Sequence, residues 1–339
     1  TVIGPYLLQF TVTNTSPAEC AVKCIMAPKV ETTLEIPSTA IIDGEVYSVT
    51  AIADSAFFGY DKFIGDLVIP NTVRSVGIRA FRDCVGFDGT LTLSENLETI
   101  GDLAFAGGPD VQVNYTGKLT IPNSVEYIGM AAFQNCSSLT SLEFEEGSQI
   151  TSLEQNVFRN CSSLTGSLQI PNTVTTIGDY AFTQCYNLTG DLIIPNTVTS
   201  VGVEAFWECR GFNGTLTLSE NLEVISDKAF ASYDGQMSFS GTLVIPSGVK
   251  SIGQAAFQNC ANILLLEIEE NSQLETIGDY AFTQCYSLGG DLLIPNTVTY
   301  IGDYAFYSTS INSLNFEENS QLNSIGNYSF QNCSNLSGD

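Results

Sequence analysis

Apolar residues recur along the chain in one pattern, L-x(3)-L-x-I-P-x-x-V-x-x-V-G-x-x-A-F-x-x-C, clearest over Leu188–Cys209. Its phenylalanine returns twelve times, at Phe57, Phe81, Phe105, Phe133, Phe158, Phe182, Phe206, Phe230, Phe257, Phe282, Phe306 and Phe330, spaced 24 to 28 residues apart. A fixed period in this range predicts a solenoid, where each repeat is too small to bury its own core and stacks on its neighbours.

Within a repeat the L-x-I piece alternates, as a half-buried strand does. Proline often follows it (Pro70, Pro122, Pro171, Pro195, Pro246, Pro295). Lacking an N–H and holding φ near −65°, proline ends the ladder and turns the chain. Val-x-x-Ile-Gly reads as a second short extended segment whose glycine is expected to make a left-handed corner. Ala-Phe-x-x-Cys then points back inward.

A longer period overlies the short one. The block from Cys84 through Phe87, Leu91, Leu93 and Leu97 returns from Cys209 through Phe212, Leu216, Leu218 and Leu222, an offset of 125 residues, or five repeats. Two long repeats carry insertions, Gly107–Gly117 and Ser232–Gly241. Insertions in repeat proteins map to loops on one face. Val111, Val113 and Tyr115, or Tyr233, Met237 and Phe239, are therefore candidate contacts, against the alternative that they add a strand covering the core. Trp207 is a further candidate anchor.

The chain has 339 residues, 37 acids, 11 bases, no histidine and a net charge of −26. That balance disfavours nucleic acid and anionic membrane surfaces. Absence of histidine removes Ser–His–Asp and Cys–His catalysis and the usual base near neutral pH. No phosphate-cradling G-x(4)-G-K-[ST] loop is present. No catalytic, cofactor-binding or metal-ligating set is expected, and no enzyme. Eight of the ten cysteines stand three residues after a repeat phenylalanine, so they read as a buried thiol ladder, with Tyr60, Gly108, Tyr233 and Thr309 standing in elsewhere. Cys20 and Cys24, on one extended strand, are too far apart to bond. The doublets Glu145-Glu146, Glu269-Glu270 and Glu317-Glu318 lack the D-x-D-x-D-G order of a calcium loop, and a solvated corner is expected.

The motif resembles the BspA-like, or Treponema pallidum-type, class of leucine-rich repeats from about Leu34 onward. The resemblance implies short parallel strands on one face, little helix, about twelve repeats and a β-rich N-terminal cap. We expect that cap over 1–33, one continuous solenoid over 34–339, and a hairpin on Asp43-Gly44. The end, Leu336–Asp339, reads as the start of a further repeat without a C-terminal cap. Members of this class are mostly secreted or surface proteins of host-associated bacteria and some protozoan parasites, several implicated in adhesion. The expectation is a non-catalytic, secreted or surface-displayed recognition module binding a host or microbial protein, its signal peptide already removed, with no membrane insertion. Alternatives are a spacer displaying another domain, or glycan binding. The candidate binding face is the outward row of the L-x-I strands: Val68, Thr92, Thr120, Glu143, Gln169, Ile193, Thr217, Val244, Glu267, Leu293 and Asn315.

Overall fold

The computed structural model describes residues 2–3 and 6–337; Thr1, Gly4 and Pro5 of the expected cap, and Gly338 and Asp339 at the expected start of a further repeat, lie outside the described residues. The chain divides into two compact units, Thr1–Leu164 and Thr165–Asp339. Both are β-solenoids, together of about eleven turns, with no helix among the described residues.

The first unit opens with β1 (Val2–Ile3), β2 (Tyr6–Thr15), β3 (Ala18–Met26), β4 (Thr39–Ile42) and β5 (Glu45–Ile52). β2 and β3 pair antiparallel, and so do β4 and β5. The β4–β5 turn holds Asp43 and Gly44 at φ 53 and 88, the twist a two-residue hairpin requires. β3 pairs parallel with β5, and β5 pairs with Ser75–Val76. The cap strands and the first repeats thus share one sheet.

Which segment carries the sheet differs from expectation. Ser75–Val76, Thr99–Ile100 and Tyr127–Ile128 continue one parallel ladder from β5. In the second unit Val224–Ile225, Ser251–Ile252, Thr276–Ile277, Tyr300–Ile301 and Ser324–Ile325 form a five-stranded parallel sheet. These are the Val-x-x-Ile-Gly segments. The L-x-I strands pair only in twos, such as Leu192–Ile193 with Leu216–Thr217 and Asp291–Ile294 with Ser313–Phe316. The strands on that side run two to six residues, and proline or an acidic turn follows many of them.

Repeat phenylalanines stack face to face through each unit. Centroids lie 4.8 Å apart for Phe57–Phe81 and 5.1 Å for Phe282–Phe306, with planes within 10°. From Phe57 to Phe306 each is fully buried, and Phe330 is half-buried. One parallel-ring contact per turn, at strand spacing, is the aromatic counterpart of the backbone ladder.

The repeat glycine does not make the left-handed corner. None of Gly77, Gly101, Gly129, Gly202, Gly253, Gly278, Gly302 and Gly326 has positive φ; the left-handed residue is two further on, such as Arg79, Leu103 and Glu204 at φ 56, 57 and 53. The glycine is needed for close approach instead. A Cβ on Gly77 would lie 2.5 Å from Asp54 Oδ1 and 2.6 Å from the Asp54 nitrogen. That aspartate accepts the Ile78 N–H at 2.8 Å, and the arrangement recurs as Val203 to Asp179, Gln254 to Asp227 and Asp303 to Asp279. Part of the acidic charge is therefore spent on bridging successive turns.

Candidate interaction surface

The outward row of the L-x-I strands stands where alternation puts it. Val68, Thr92, Glu143, Gln169, Ile193, Thr217, Val244, Glu267, Leu293 and Asn315 are exposed and Thr120 is half-buried. Pairing register then decides what surface they make. Val68 lies beside Thr92, Ile193 beside Thr217, Val244 beside Glu267 and Leu293 beside Asn315. Each aliphatic residue therefore meets a polar one in the next turn, so no continuous apolar stripe forms. Glu143, opposite Thr120, is ion-paired with Lys118. Thr217 and Val244 share a dent, of about 290 Å³, with Leu216, Thr242, Pro246 and Glu269.

The insertion residues are mostly withdrawn from the surface. Val113, Tyr115, Met237 and Phe239 are fully buried, which corrects the expectation that they contact a partner. Val111 is half-buried, Trp207 is half-buried, and Tyr233 alone is fully presented, 75 % exposed. Tyr233 consequently does not stand in for the repeat cysteine. The cause is a second aromatic column that the repeat pattern does not show. In the first unit Phe63 stacks on Phe87, and Phe87 on Tyr115, at 6.0 and 5.9 Å. In the second, Phe212 stacks on Phe239 at 5.7 Å. The insertions thus complete a core column. The legible signal was that Phe87 and Phe212 lie near the start of the duplicated blocks, with Tyr115 and Phe239 28 and 27 residues further on.

A carboxylate holds each insertion, buried at Glu208 and half-buried at Asp83. Glu208 Oε1 accepts the Tyr233 and Asp234 N–H groups at 2.6 and 3.2 Å, and Oε2 accepts the Ser232 hydroxyl at 3.0 Å. Arg210 is its ion-pair partner. Asp83, at the equivalent place, accepts the Gly108 N–H at 2.5 Å. Both acids have left-handed backbone, φ 63 and 59. Burial of the Glu208 carboxylate is tolerable because its oxygens are hydrogen-bonded and its charge is paired.

The acidic doublets have a similar local role. Glu145, Glu269 and Glu317 each accept a backbone N–H from the preceding turn, those of Asn123, Ser247 and Asn296, at 3.1, 2.8 and 2.9 Å. Asp66 and Asp191 accept the N–H and hydroxyl of Thr90 and Thr215, and these bonds hold both carboxyls below the usual aspartate range.

The face of the continuous ladder was not anticipated as a surface. In the first unit Ser48, Thr50, Asn71, Thr72, Arg74, Asn96, Glu98 and Ser124 line a polar groove of about 460 Å³. In the second, Gln273, Glu275, Thr297, Thr299 and Gln321 line one of about 290 Å³. Several of the hydroxyls are already committed: Thr72 donates to Val49 O at 2.8 Å, Ser124 to Leu97 O and Thr297 to Leu274 O at 2.7 Å each. Both grooves offer hydrogen bonds without an apolar anchor.

The sequence matches the BspA-type leucine-rich repeat region, in six copies over residues 50–116, 112–235 and 215–337. The chain belongs to this family. Its fold is similar to a leucine-rich cell surface protein from Faecalibacterium prausnitzii A2-165, at 24% identity and TM-score 0.56, covering 99% of this chain and 93% of that one. It is also similar to a leucine-rich repeat protein from Bacteroides ovatus, at 22% identity and TM-score 0.57, over 99% and 93%. The pneumococcal vaccine antigen PcpA is similar at 18% identity and TM-score 0.57, over 98% and 85%. At these identities the likeness is one of fold. No curated protein matches the chain. Among the described residues no helix is long and apolar enough to cross a membrane.

Proposed function

We propose that this chain is a non-catalytic recognition module, secreted or displayed at a cell surface, which binds a protein of a host or of another microbe. One observation carries the reading. The positions that build the stack repeat from turn to turn, whereas the outward positions beside them change, from Val68 and Thr92 to Glu143, Ile193 and Leu293. A scaffold that is uniform inside and varied outside is how solenoids present extended binding surfaces. The description of the F. prausnitzii relative as a cell surface protein favours the location. The absence of histidine and the structural use of many carboxylates favour binding over chemistry.

The test is capture of soluble extracellular proteins by the immobilised chain, against a variant carrying Ile193→Lys, Val244→Lys and Leu293→Lys. Loss of a captured protein with the variant is the expected result. Equal capture by both would remove the L-x-I row as the binding face. Capture of nothing by the parent chain would favour the spacer reading.

A further inference from the structure

One corner of the second unit departs from its neighbours over three successive turns. Two residues past the repeat glycine, Tyr280, Tyr304 and Tyr328 take left-handed backbone at φ 60, 55 and 59. Bulky side chains are disfavoured there, where glycine and asparagine sit easily. The same corner earlier in this unit carries Tyr180, then Glu204, Lys228 and Ala255, so stacking of the turns does not demand an aromatic. The three rings stack with centroids 5.1 and 5.0 Å apart. Tyr300 stands on the adjoining strand and donates its hydroxyl to Asp279 Oδ1 at 3.2 Å. Tyr280, Tyr300 and Tyr328 are 36 %, 37 % and 56 % exposed.

Charge around this corner is one-sided. From Ser251 to Asp339 the sequence holds ten aspartates and glutamates and not one lysine, arginine or histidine. We infer that the tyrosine corner is the docking surface for a basic protein segment, rich in arginine and lysine. The inference rests on the recognition reading above and places the contact on a different face from the L-x-I row. Tyrosine supplies large, rigid contact area at low cost in side-chain entropy, and an arginine side chain packs flat against such rings. Uncompensated carboxylates draw a cationic segment from a distance, while the rings decide where it settles.

The probe is a fluorescently labelled Arg-Gly repeat peptide, with a Gln-Gly peptide as the neutral control, followed by anisotropy at low and physiological salt. The chain is compared with a variant carrying Tyr280→Asn, Tyr304→Asn and Tyr328→Asn, whose asparagines accept left-handed backbone and whose net charge is unchanged. The expected result is salt-sensitive binding of the Arg-Gly peptide only, weakened roughly tenfold or more in the variant, as for loss of interface anchors. If the triple variant does not fold, Tyr328→Asn alone is expected to weaken binding in the same direction. Equal binding by parent and variant would overturn the proposal, because charge alone would then suffice. So would no preference for the basic peptide, or a loss confined to a soluble hexose oligosaccharide, which would make this a glycan surface. Capture of an extracellular protein by parent and asparagine variant alike would remove this surface while leaving the recognition reading in place.

Discussion

Cys84 Sγ donates to the carbonyl oxygen of Phe57, one turn earlier, at 2.9 Å. The same bond joins Cys209 to Phe182 at 3.0 Å and Cys285 to Phe257 at 3.2 Å. The repeat cysteine is therefore more than a small apolar filler: its S–H adds a bond from the next turn to a carbonyl that already accepts the backbone N–H three residues on, as Tyr60 to Phe57 at 3.3 Å and Cys185 to Phe182 at 3.1 Å. Thr309, standing in for it, donates to Phe306 O at 3.0 Å and touches Cys333 Sγ at 3.2 Å.

Burial pushes the Cys84 and Cys285 thiols up to about 12. Unfolded thiols ionise near about 8.5, and each unit of difference is worth about 1.4 kcal/mol. Between these values the unfolded chain releases protons that the folded chain keeps. Stability is therefore full below about pH 8.5 and falls as pH rises toward 12. Thermal unfolding followed from pH 8 to 11 should show a steep drop in Tm, shallower in a Cys84→Ser, Cys285→Ser variant. All ten cysteines are buried, so a thiol reagent at neutral pH should label none quickly in the folded chain and all ten after denaturation.

Tyr115 is fully buried and its hydroxyl has no hydrogen-bond partner. Its counterpart in the duplicated block is Phe239. Tyr115→Phe removes an unsatisfied buried group and should raise stability by about 1 kcal/mol, and Phe239→Tyr should lower it by about 1–3 kcal/mol. Denaturant unfolding of the two single variants checks the sign of each.

Glu208→Ala should cost on the order of 3 kcal/mol, since it leaves the Tyr233 and Asp234 N–H groups and Arg210 without their acceptor. The loss should be local first, so limited proteolysis ought to cut within 232–241 in the variant before the rest of the chain yields. Cleavage at the parent rate would show that the aromatic column alone holds the insertion.

Gly77→Ala should destabilise by roughly 1–3 kcal/mol, because its Cβ would collide with backbone and side chain of Asp54 that cannot move independently. Gly44→Ala, where nothing lies within 4 Å but φ is 88, should cost less and through strain alone. Parallel melting curves distinguish collision from strain.

Asp66 and Asp191 give the acid counterpart of the thiol effect. Their hydrogen bonds from Thr90 and Thr215 lower both carboxyls, so their contribution is present above the ordinary aspartate value and lost as pH falls through the depressed one. Thr90→Val with Thr215→Val should make the chain less sensitive to pH between about 4 and 2, read from Tm against pH.

The period of Phe57 to Phe330 was enough to foresee a solenoid, because a recurring apolar position has no other way to be buried than against its own copies. Outward placement of Val68, Ile193 and Leu293 was equally legible, since alternation along a strand is a local property. The buried thiols followed from their constant offset to the phenylalanine. What local pattern could not supply was anything that depends on the adjacent turn. Whether Val68 would have an apolar or polar neighbour, whether Gly77 was needed for its φ or its lack of Cβ, and whether Tyr115 faced water or core are all questions of register.

The chain's own order of residues thus determined the repeat, the family resemblance, the buried ladder and the absence of histidine chemistry, all of which are set within one turn or by composition. Tertiary structure alone decided that the Ser-Val and Thr-Ile segments carry the sheet, that Glu208 and Asp83 anchor the insertions, and that Tyr280, Tyr304 and Tyr328 come together as one surface. The physical reason is distance along the chain: residues about 24 apart become neighbours at about 5 Å only when successive turns stack, and no pattern within a single turn encodes that contact.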